Sequence, residues 1–399
     1  DSPRRLSVWT LDGTFQREHL GPGFYSAGGL LDPADRTRAY YWNMEFRLDY
    51  ENATSSMTGV VSDQFGPESL SMPVGTGHPN RILHRDGKTY LVGGRWRWNI
   101  ARRRDDGVFQ PLAAAGLVGK LAKEGPSAFR GQDATLRFAW SDRNDDGLVQ
   151  AEEVAFAPSR KGKKPEHWGP YWDSSIMDDL TLVVPATTGE GWAVWHFPVK
   201  SWTACGAPVY DIADPVDFVP SLPAKSNTSV ISLADGGIVV NALPMLGFDA
   251  DGKLRWSYPN PDLNPYDAAP LAPGKLIGPQ AFLGRGDFGK DIGEIVMVNG
   301  YNGSRFLLTA DGLWVGHVGN DTRNGPENMP KTTPKPGYIM DNVSFGGESF
   351  SGSFTRTADG RAYTISGHTD PRVVEVKGLG IIRRLDGRVA MTAELHAQA

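Results

Sequence analysis

The chain has 399 residues, 40% hydrophobic and 22% charged, a balance that belongs to a folded protein and excludes disorder throughout. Its 41 Lys and Arg stand against 46 Asp and Glu for a net charge of -5, so no basic excess argues for nucleic acid. The apolar runs are far shorter than the twenty or so residues of a membrane-spanning helix, and a single cysteine, Cys205, excludes an internal disulfide. That cysteine, in TACGAP, has no recognisable activating base near it in sequence and reads as a small core residue.

With 48 Gly, 29 Pro and 12 Trp, the composition points to many short strands and turns. An Asp-Gly pair recurs beside β-formers along the whole chain: LDGTF (11–15), RDGKTYLV (85–92), DDGVF (105–109), LADGGIVV (233–240), DADGKLRW (249–256), TADGLWVG (309–316), TADGRAYT (357–364) and LDGRVAMT (385–392). Asp-Gly supplies the positive φ of a two-residue hairpin turn, so each predicts a hairpin. The longer separations, about 40–60 residues, suit successive propeller blades. The expected fold is all-β: one β-propeller domain over 1–399, seven-bladed, with units near 1–50, 51–105, 106–175, 176–225, 226–265, 266–325 and 326–399. Tandem β-sandwiches are the competing architecture. Helical periodicity is confined to residues 112–123, where Gly116 and Gly119 weaken it, and this scarcity disfavours a parallel α/β fold.

Midway along the chain, residues 142–153 (DRNDDGLVQAEE) match the EF-hand pattern D-x-[DN]-x-[DN]-G-x5-E without a substitution. Asp142, Asn144 and Asp146 place hard oxygens on one side of a turn, and Gly147 permits the bend. Leu148 offers a carbonyl, Gln150 a direct or water-mediated ligand, and Glu153 a bidentate carboxylate. The predicted cofactor is therefore Ca²⁺. The flanks read as strands, with at most one helical turn at 151–153. A lone loop of this kind binds weakly and is filled by extracellular calcium, which places the chain in the extracellular space or periplasm as a secreted protein. Such a loop inside a blade reads as a structural staple.

Residues 160–164 (RKGKK), 260–273 and 322–337 read as long loops, the first as a solvated tip. The histidines form no metal pattern. His78, His167, His317 and His368 lie beside Gly or Pro at predicted strand ends, where a propeller gathers catalytic groups; each also has an ordinary structural reading. His84 and His196 fall within strands. In RWRW, Arg95 and Arg97 share one strand face, suited either to clamping carboxylates or to facing solvent over a tryptophan core. Trp168, Tyr171 and Trp172, beside His167, suit stacking on sugar rings or packing between blades. GRGDFG (284–289) contains RGD, too short a match to weigh.

The runs GPGFYSAGGLLDPADRTRAYYWNMEFRLDYE (21–51), FAWSDRNDDGLVQAEEV (138–154), LTADGLWVG (308–316) and VKGLGIIRRLDG (376–387) resemble secreted NHL/PQQ-like β-propeller proteins of planctomycete-type bacteria. The resemblance spans nearly the whole chain. It implies a propeller with a dockerin-like calcium loop at Asp142, Asn144, Asp146 and Glu153, in a chain that is a fragment of a longer protein or a subunit of an assembly. No quinone-binding or dehydrogenase signature accompanies it. The expected function is binding or degradation of polysaccharide, by a lyase or hydrolase with a channel-facing histidine as base and Arg95 or Arg97 as clamp. The alternative is a non-catalytic extracellular binding or assembly module that contacts another protein through 160–172 and 322–337.

Overall fold

The structure, a computed structural model, describes residues 5–20, 29–41, 44–60, 65–70, 79–93, 97–169, 175–222, 225–260, 273–278, 281–300, 303–321, 337–340, 343–345, 352–366 and 372–384. Seven of the eight Asp-Gly pairs fall there, and each makes a tight turn between antiparallel strands. The turn at 85–88 shows why the pair is needed: Asp86 and Gly87 take φ of 50° and 71°, the primed geometry that matches strand twist.

These hairpins build six units in chain order. The first is β3 (Gly29–Leu31), β4 (Arg38–Tyr41), β5 (Met44–Asp49) and β6 (Thr54–Val60), preceded by a separate hairpin of β1 (Arg5–Trp9) and β2 (Phe15–Leu20). The second runs β7 (Pro79–Arg85), β8 (Lys88–Gly93), β9 (Arg97–Arg103), β10 (Phe109–Leu117), β11 (Arg137–Ser141) and β12 (Val154–Ala157). The third holds β13 (His167–Trp168), β14 (Ser175–Ile176), β15 (Leu182–Thr187) and β16 (Trp192–Phe197). A side hairpin of β17 (Val199–Trp202) and β18 (Pro208–Tyr210) follows, and β19 (Val216–Val219) completes the sheet. The fourth is β20 (Lys225–Ser232), β21 (Ile238–Leu243), β22 (Met245–Phe248) and β23 (Leu254–Tyr258). The fifth is β24 (Phe282–Asp287), β25 (Glu294–Asn299), β26 (Arg305–Thr309) and β27 (Trp314–Val318), and the sixth β28 (Gly352–Arg356), β29 (Ala362–Ser366) and β30 (Val373–Val376); a short parallel pairing of β24 with β28, at Gly284–Phe354 and Arg285–Thr355, links the two into one seven-stranded sheet.

The units are arranged as the blades of a β-propeller. Apolar clusters fill the space between successive sheets: Val183 and Val194 against Val230 and Ile238, Val239 and Met245 against Val296 and Phe306, Ile295 and Leu307 against Phe354 and Ala362. The ring closes where Leu31 and Ala39 of the first unit pack on Tyr363 and Ile365 of the sixth. The Thr355 hydroxyl donates to the Leu31 carbonyl, and the Ala358 N–H to the Pro33 carbonyl at 2.8 Å. Edges that are short and faced by the next blade are how this architecture avoids open-ended pairing.

Among the described residues there are six such units, against the seven expected. The difference lies in 51–157, read in the sequence as parts of two blades; β7 to β12 are one continuous sheet. It continues because residues 112–123 are not a helix. Ala113, Ala114 and Ala115 sit in β10, between β9 and β11, with every residue from Phe109 to Gly116 buried. Small side chains let both faces of β10 be covered, and that packing overrides alanine's helix propensity. One helical turn remains, Leu121–Glu124.

A buried ion pair ties this long sheet to the next one. Arg137 on β11 and Glu166 meet in a two-pronged pair at 2.8 and 2.7 Å, their side chains 1% and 0% exposed. Glu166 also accepts from the Trp168 indole at 2.6 Å and the Arg160 N–H at 2.7 Å, and Arg137 lies 4.9 Å over the Trp195 ring. Removing one member strands the other charge. Glu166→Gln is expected to lower the unfolding free energy by about 3–5 kcal/mol, measured by urea denaturation; a loss below about 1 kcal/mol would show that the pair contributes little.

Candidate functional site

The first strand of each unit, or in the third unit its second strand β14, faces the channel. Residues of β3, β7, β14, β20, β24 and β28 together line a cavity of about 430 Å³. Its lower wall is apolar, with Ile82, Ile176, Val230, Phe282 and Phe354. The charged groups come from within these strands, as Arg81 and Arg285 do, from just past one, as Asp178 does, and from the start of β25, as Glu294 does, and they cluster at the cavity mouth.

Charge there converges on one carboxylate. Arg81 of β7 and Arg285 of β24 both reach Asp178, which sits just past β14; both Asp178 oxygens lie 2.9 Å from Arg285 Nη2. Arg81 also donates to the Ile176 carbonyl and, at 2.9 Å, to the Ser232 hydroxyl. Arg285 pairs through Nη1 with Glu294, whose other oxygen accepts the Ala234 N–H at 2.9 Å. The arginine side chains are 22% and 13% exposed, whereas Asp178 is 62% exposed.

These environments set the charges. Burial lowers the Arg81 guanidinium to about 10, with Arg285 working in the same direction. Burial also opposes the charge on Arg285, but Glu294 and Asp178 outweigh it and hold that group above its ordinary value. Burial pushes the Asp178 carboxyl up, while Arg81 and Arg285 prevail and keep it below the usual carboxylate range.

A second polar pair lines the same mouth. His84, near the end of β7, places Nε2 2.7 Å from Asp32 Oδ1, just past β3. Its Nδ1 is 3.2 Å from the Thr89 hydroxyl on β8. Asp32 is 1% exposed; Oδ1 also accepts the Ala34 N–H, and Oδ2 is buried without a partner among the described residues. An imidazole oriented by a buried carboxylate is the arrangement of a general base.

The described histidine, arginine and tryptophan candidates from the sequence lie elsewhere. His167 pairs with Thr187, at the end of β15 away from Asp178, and is exposed beside Trp192. His317 is on β27, the outermost strand of its sheet. Arg97, on the third strand of its sheet, donates to Asn99 at 3.0 Å, and burial lowers it to about 10. None of the three lines the cavity. Trp168 is corrected from sugar platform to core: it is 1% exposed, edge-on to Trp98 and against Phe197. His78, His368, Arg95, Tyr171 and Trp172 lie outside the described residues, as do 261–272 and 322–336. The arginine of the RGD triplet is Arg285 itself, held at the cavity mouth by Asp178 and Glu294.

Residues 142–153 join β11 to β12 at the outer edge of the second sheet, with one 3₁₀ turn at Ala151–Glu153. Asp142 is fully buried; Oδ1 accepts the Asn144 and Asp145 N–H groups, and Oδ2 the Gly147 N–H at 3.0 Å. Asp146 accepts from the Asn144 and Gln150 side-chain amides and from the Leu148 N–H. Glu153 accepts from the Arg143 N–H at 2.7 Å and the Trp140 indole at 3.0 Å, and Val149 is buried beneath the loop. The oxygens are of the hard type calcium takes, yet they do not all point to one centre. The trio of possible ligand atoms within 4.8 Å, among the described residues, is Asp142, Asp145 and Cys205, not the motif's own set.

No family model and no curated protein matches the chain. Among solved structures, a chain of the crystal structure of the mitotic checkpoint complex is similar over 94% of this chain and 92% of its own, with 10% identity and a TM-score of 0.37. The propeller assignment rests on the sheets and their packing described above. No helix among the described residues is long and apolar enough to cross a membrane.

Because the folded-state Asp178 value is depressed, its stabilisation is present above the ordinary value of 3.8 and is lost as pH falls through the folded value. Asp178→Asn is expected to be less stable than the parent chain at pH 6 by less than about 1 kcal/mol, given the exposure. The gap should close on acidification below 3.8, as followed by urea denaturation across pH; a constant gap would contradict the assignment.

Proposed function

We propose that the chain is an exported β-propeller that binds polysaccharide at the mouth of its channel, with calcium bracing the 142–153 loop. The observation supporting saccharide binding is the cavity itself. Guanidinium donors from Arg81 and Arg285 converge over an apolar wall of Ile176, Val230 and Phe282. A sugar ring presents hydroxyls at its edge and C–H groups on its faces, so such a pocket offers a counterpart to both. Export is supported by the calcium motif, since a lone loop of this class is filled by millimolar calcium. Kinship with NHL/PQQ-like secreted propellers belongs to the same proposal. A glycan array with the full chain tests it: retention of polysaccharide that fails after Arg81→Gln supports the reading, and retention of none overturns it.

A catalytic version has one observation behind it, the His84–Asp32 pair at 2.7 Å facing the same cavity. In a lyase, His84 would exchange its Thr89 contact for the proton α to a uronate carboxylate while Arg81 and Arg285 steady the resulting anion, which collapses to a double bond as the glycosyl oxygen at the β carbon leaves. Incubation with uronate polymers separates the versions. Unsaturated product seen by ultraviolet absorbance and lost in His84→Gln supports catalysis; its absence leaves a binding protein.

For the loop, Asp142, Asn144, Asp146, Gln150 and Glu153 with the Leu148 carbonyl would hold the ion, which would supply positive charge to a turn carrying five carboxylates of its own, Asp142, Asp145, Asp146, Glu152 and Glu153. Calcium at ten times its dissociation constant is expected to raise the unfolding free energy by about 1.4 kcal/mol over chelator. The gain should be lost in Asp146→Asn and in Glu153→Gln. Trp140 fluorescence should change as Glu153 turns from the indole; no change in either readout would overturn calcium binding.

A further inference from the structure

We propose that Arg81 and Arg285 form a clamp for the carboxylate of an acidic sugar, a hexuronate unit, and that Asp178 holds that place until the ligand displaces it. This rests on the saccharide-binding reading above and names the sugar class.

The clamp is built independently of the carboxylate it holds. Arg81 keeps the Ile176 carbonyl and the Ser232 hydroxyl through Nη1, and Arg285 keeps Glu294 through its own Nη1. Both guanidinium groups therefore stay in position when Asp178 leaves, which is the preorganisation that tight carboxylate binding requires.

Asp178 is the replaceable member. It is the most exposed group of the cluster, and the hydrogen bonds of its side chain go only to the two arginines among the described residues. Its turn is fixed by other contacts. The Met177 N–H donates to the Thr181 carbonyl at 2.9 Å and the Leu180 N–H to the Met177 carbonyl at 3.0 Å. Leu180, at a φ of 70°, is buried and its carbonyl accepts from the Tyr210 hydroxyl at 2.8 Å. A rotation of the Asp178 side chain into solvent breaks none of these bonds.

Charge and geometry select the ligand. Two guanidinium groups face Glu294 and Asp178, so the cluster is neutral, and an incoming group that replaces Asp178 one for one carries a single negative charge. A carboxylate does; a phosphate monoester near neutral pH carries more. Arg285 Nη2 contacts both Asp178 oxygens, while Nε is buried and has no acceptor among the described residues. A free carboxylate can lie along the Nε–Nη2 edge in the two-pronged geometry that Asp178, tethered to its turn, does not reach. The apolar wall below then faces the C–H side of the sugar ring.

Titration calorimetry with the full chain at low ionic strength tests this, using oligogalacturonate, oligoglucuronate, maltooligosaccharide and sodium acetate as probes. Asp178→Asn removes the competing charge and keeps the shape. It is expected to bind an acidic oligosaccharide about tenfold more tightly than the parent chain, with no change towards the neutral one, and Arg81→Lys, checked for folding by its melting curve, is expected to weaken the acidic ligand. Unchanged or weaker acidic binding by Asp178→Asn overturns the proposal. If neutral and acidic oligomers bind alike in both proteins, the saccharide reading stands and the clamp falls. If acetate binds as well as the oligomers and responds equally to Asp178→Asn, the clamp stands and the sugar assignment falls. Binding of no probe by either protein overturns both.

Discussion

Two guanidinium groups brought to the same end of a narrow channel must be neutralised, and the mouth of this propeller is organised around that requirement. Arg81 and Arg285 belong to different blades, and each raises the cost of charging its neighbour. Glu294 neutralises one and Asp178 bridges both. The bridging carboxylate comes from a third blade, so the electrostatics of the site and the closing of the ring are one problem. The same logic governs Arg137 and Glu166 deeper in the molecule, where complete burial leaves no solvent to screen either charge.

This division between deep and shallow pairs separates structure from function. Arg137–Glu166 is sealed by Trp168 and Trp195 and can exchange with nothing. Arg305, likewise buried, spends its guanidinium on Thr364 and the Ile365 carbonyl and lies 4.3 Å over Phe345, fastening the fifth blade to the sixth. At the mouth the arginines are nearly as rigid, but their partner Asp178 is open to water. A preorganised donor pair with a solvent-exposed acceptor is what the proposed carboxylate clamp requires.

Asp32 and His84 add a group that can take a proton beside that clamp. The calcium motif lies well away from this chemistry in the topology, on the outer edge of the second sheet. Its hydrogen bonds hold the loop closed on itself, with Glu153 satisfied by Trp140 and Arg143. Under the calcium proposal, an ion there would act on the stability of one blade edge.

The all-β character and the hairpins were legible in the sequence because Asp-Gly and strand alternation are local signals: the turn at Asp86–Gly87 needs two positive φ values that few other pairs supply. The strand flanks of residues 142–153 and the single turn at Ala151–Glu153 were legible for the same reason. The β10 alanines were misread because their conformation is imposed by β9 and β11 on either side, information that no local window contains. The candidate cavity was not legible for a related reason. Glycine and proline neighbours mark strand ends but do not say which strand lies innermost, so His167 and His317 were set ahead of His84, which lies within a strand. The clue was available in part: His84, Ser232 and Arg356 come just before the Asp-Gly turn that closes the first strand of their unit, whereas Arg81 lies further back in its strand. Sequence alone determined where the chain turns. Only the closed ring decided which residues, about a hundred positions apart, would share a charge, because that depends on how each blade packs against the next.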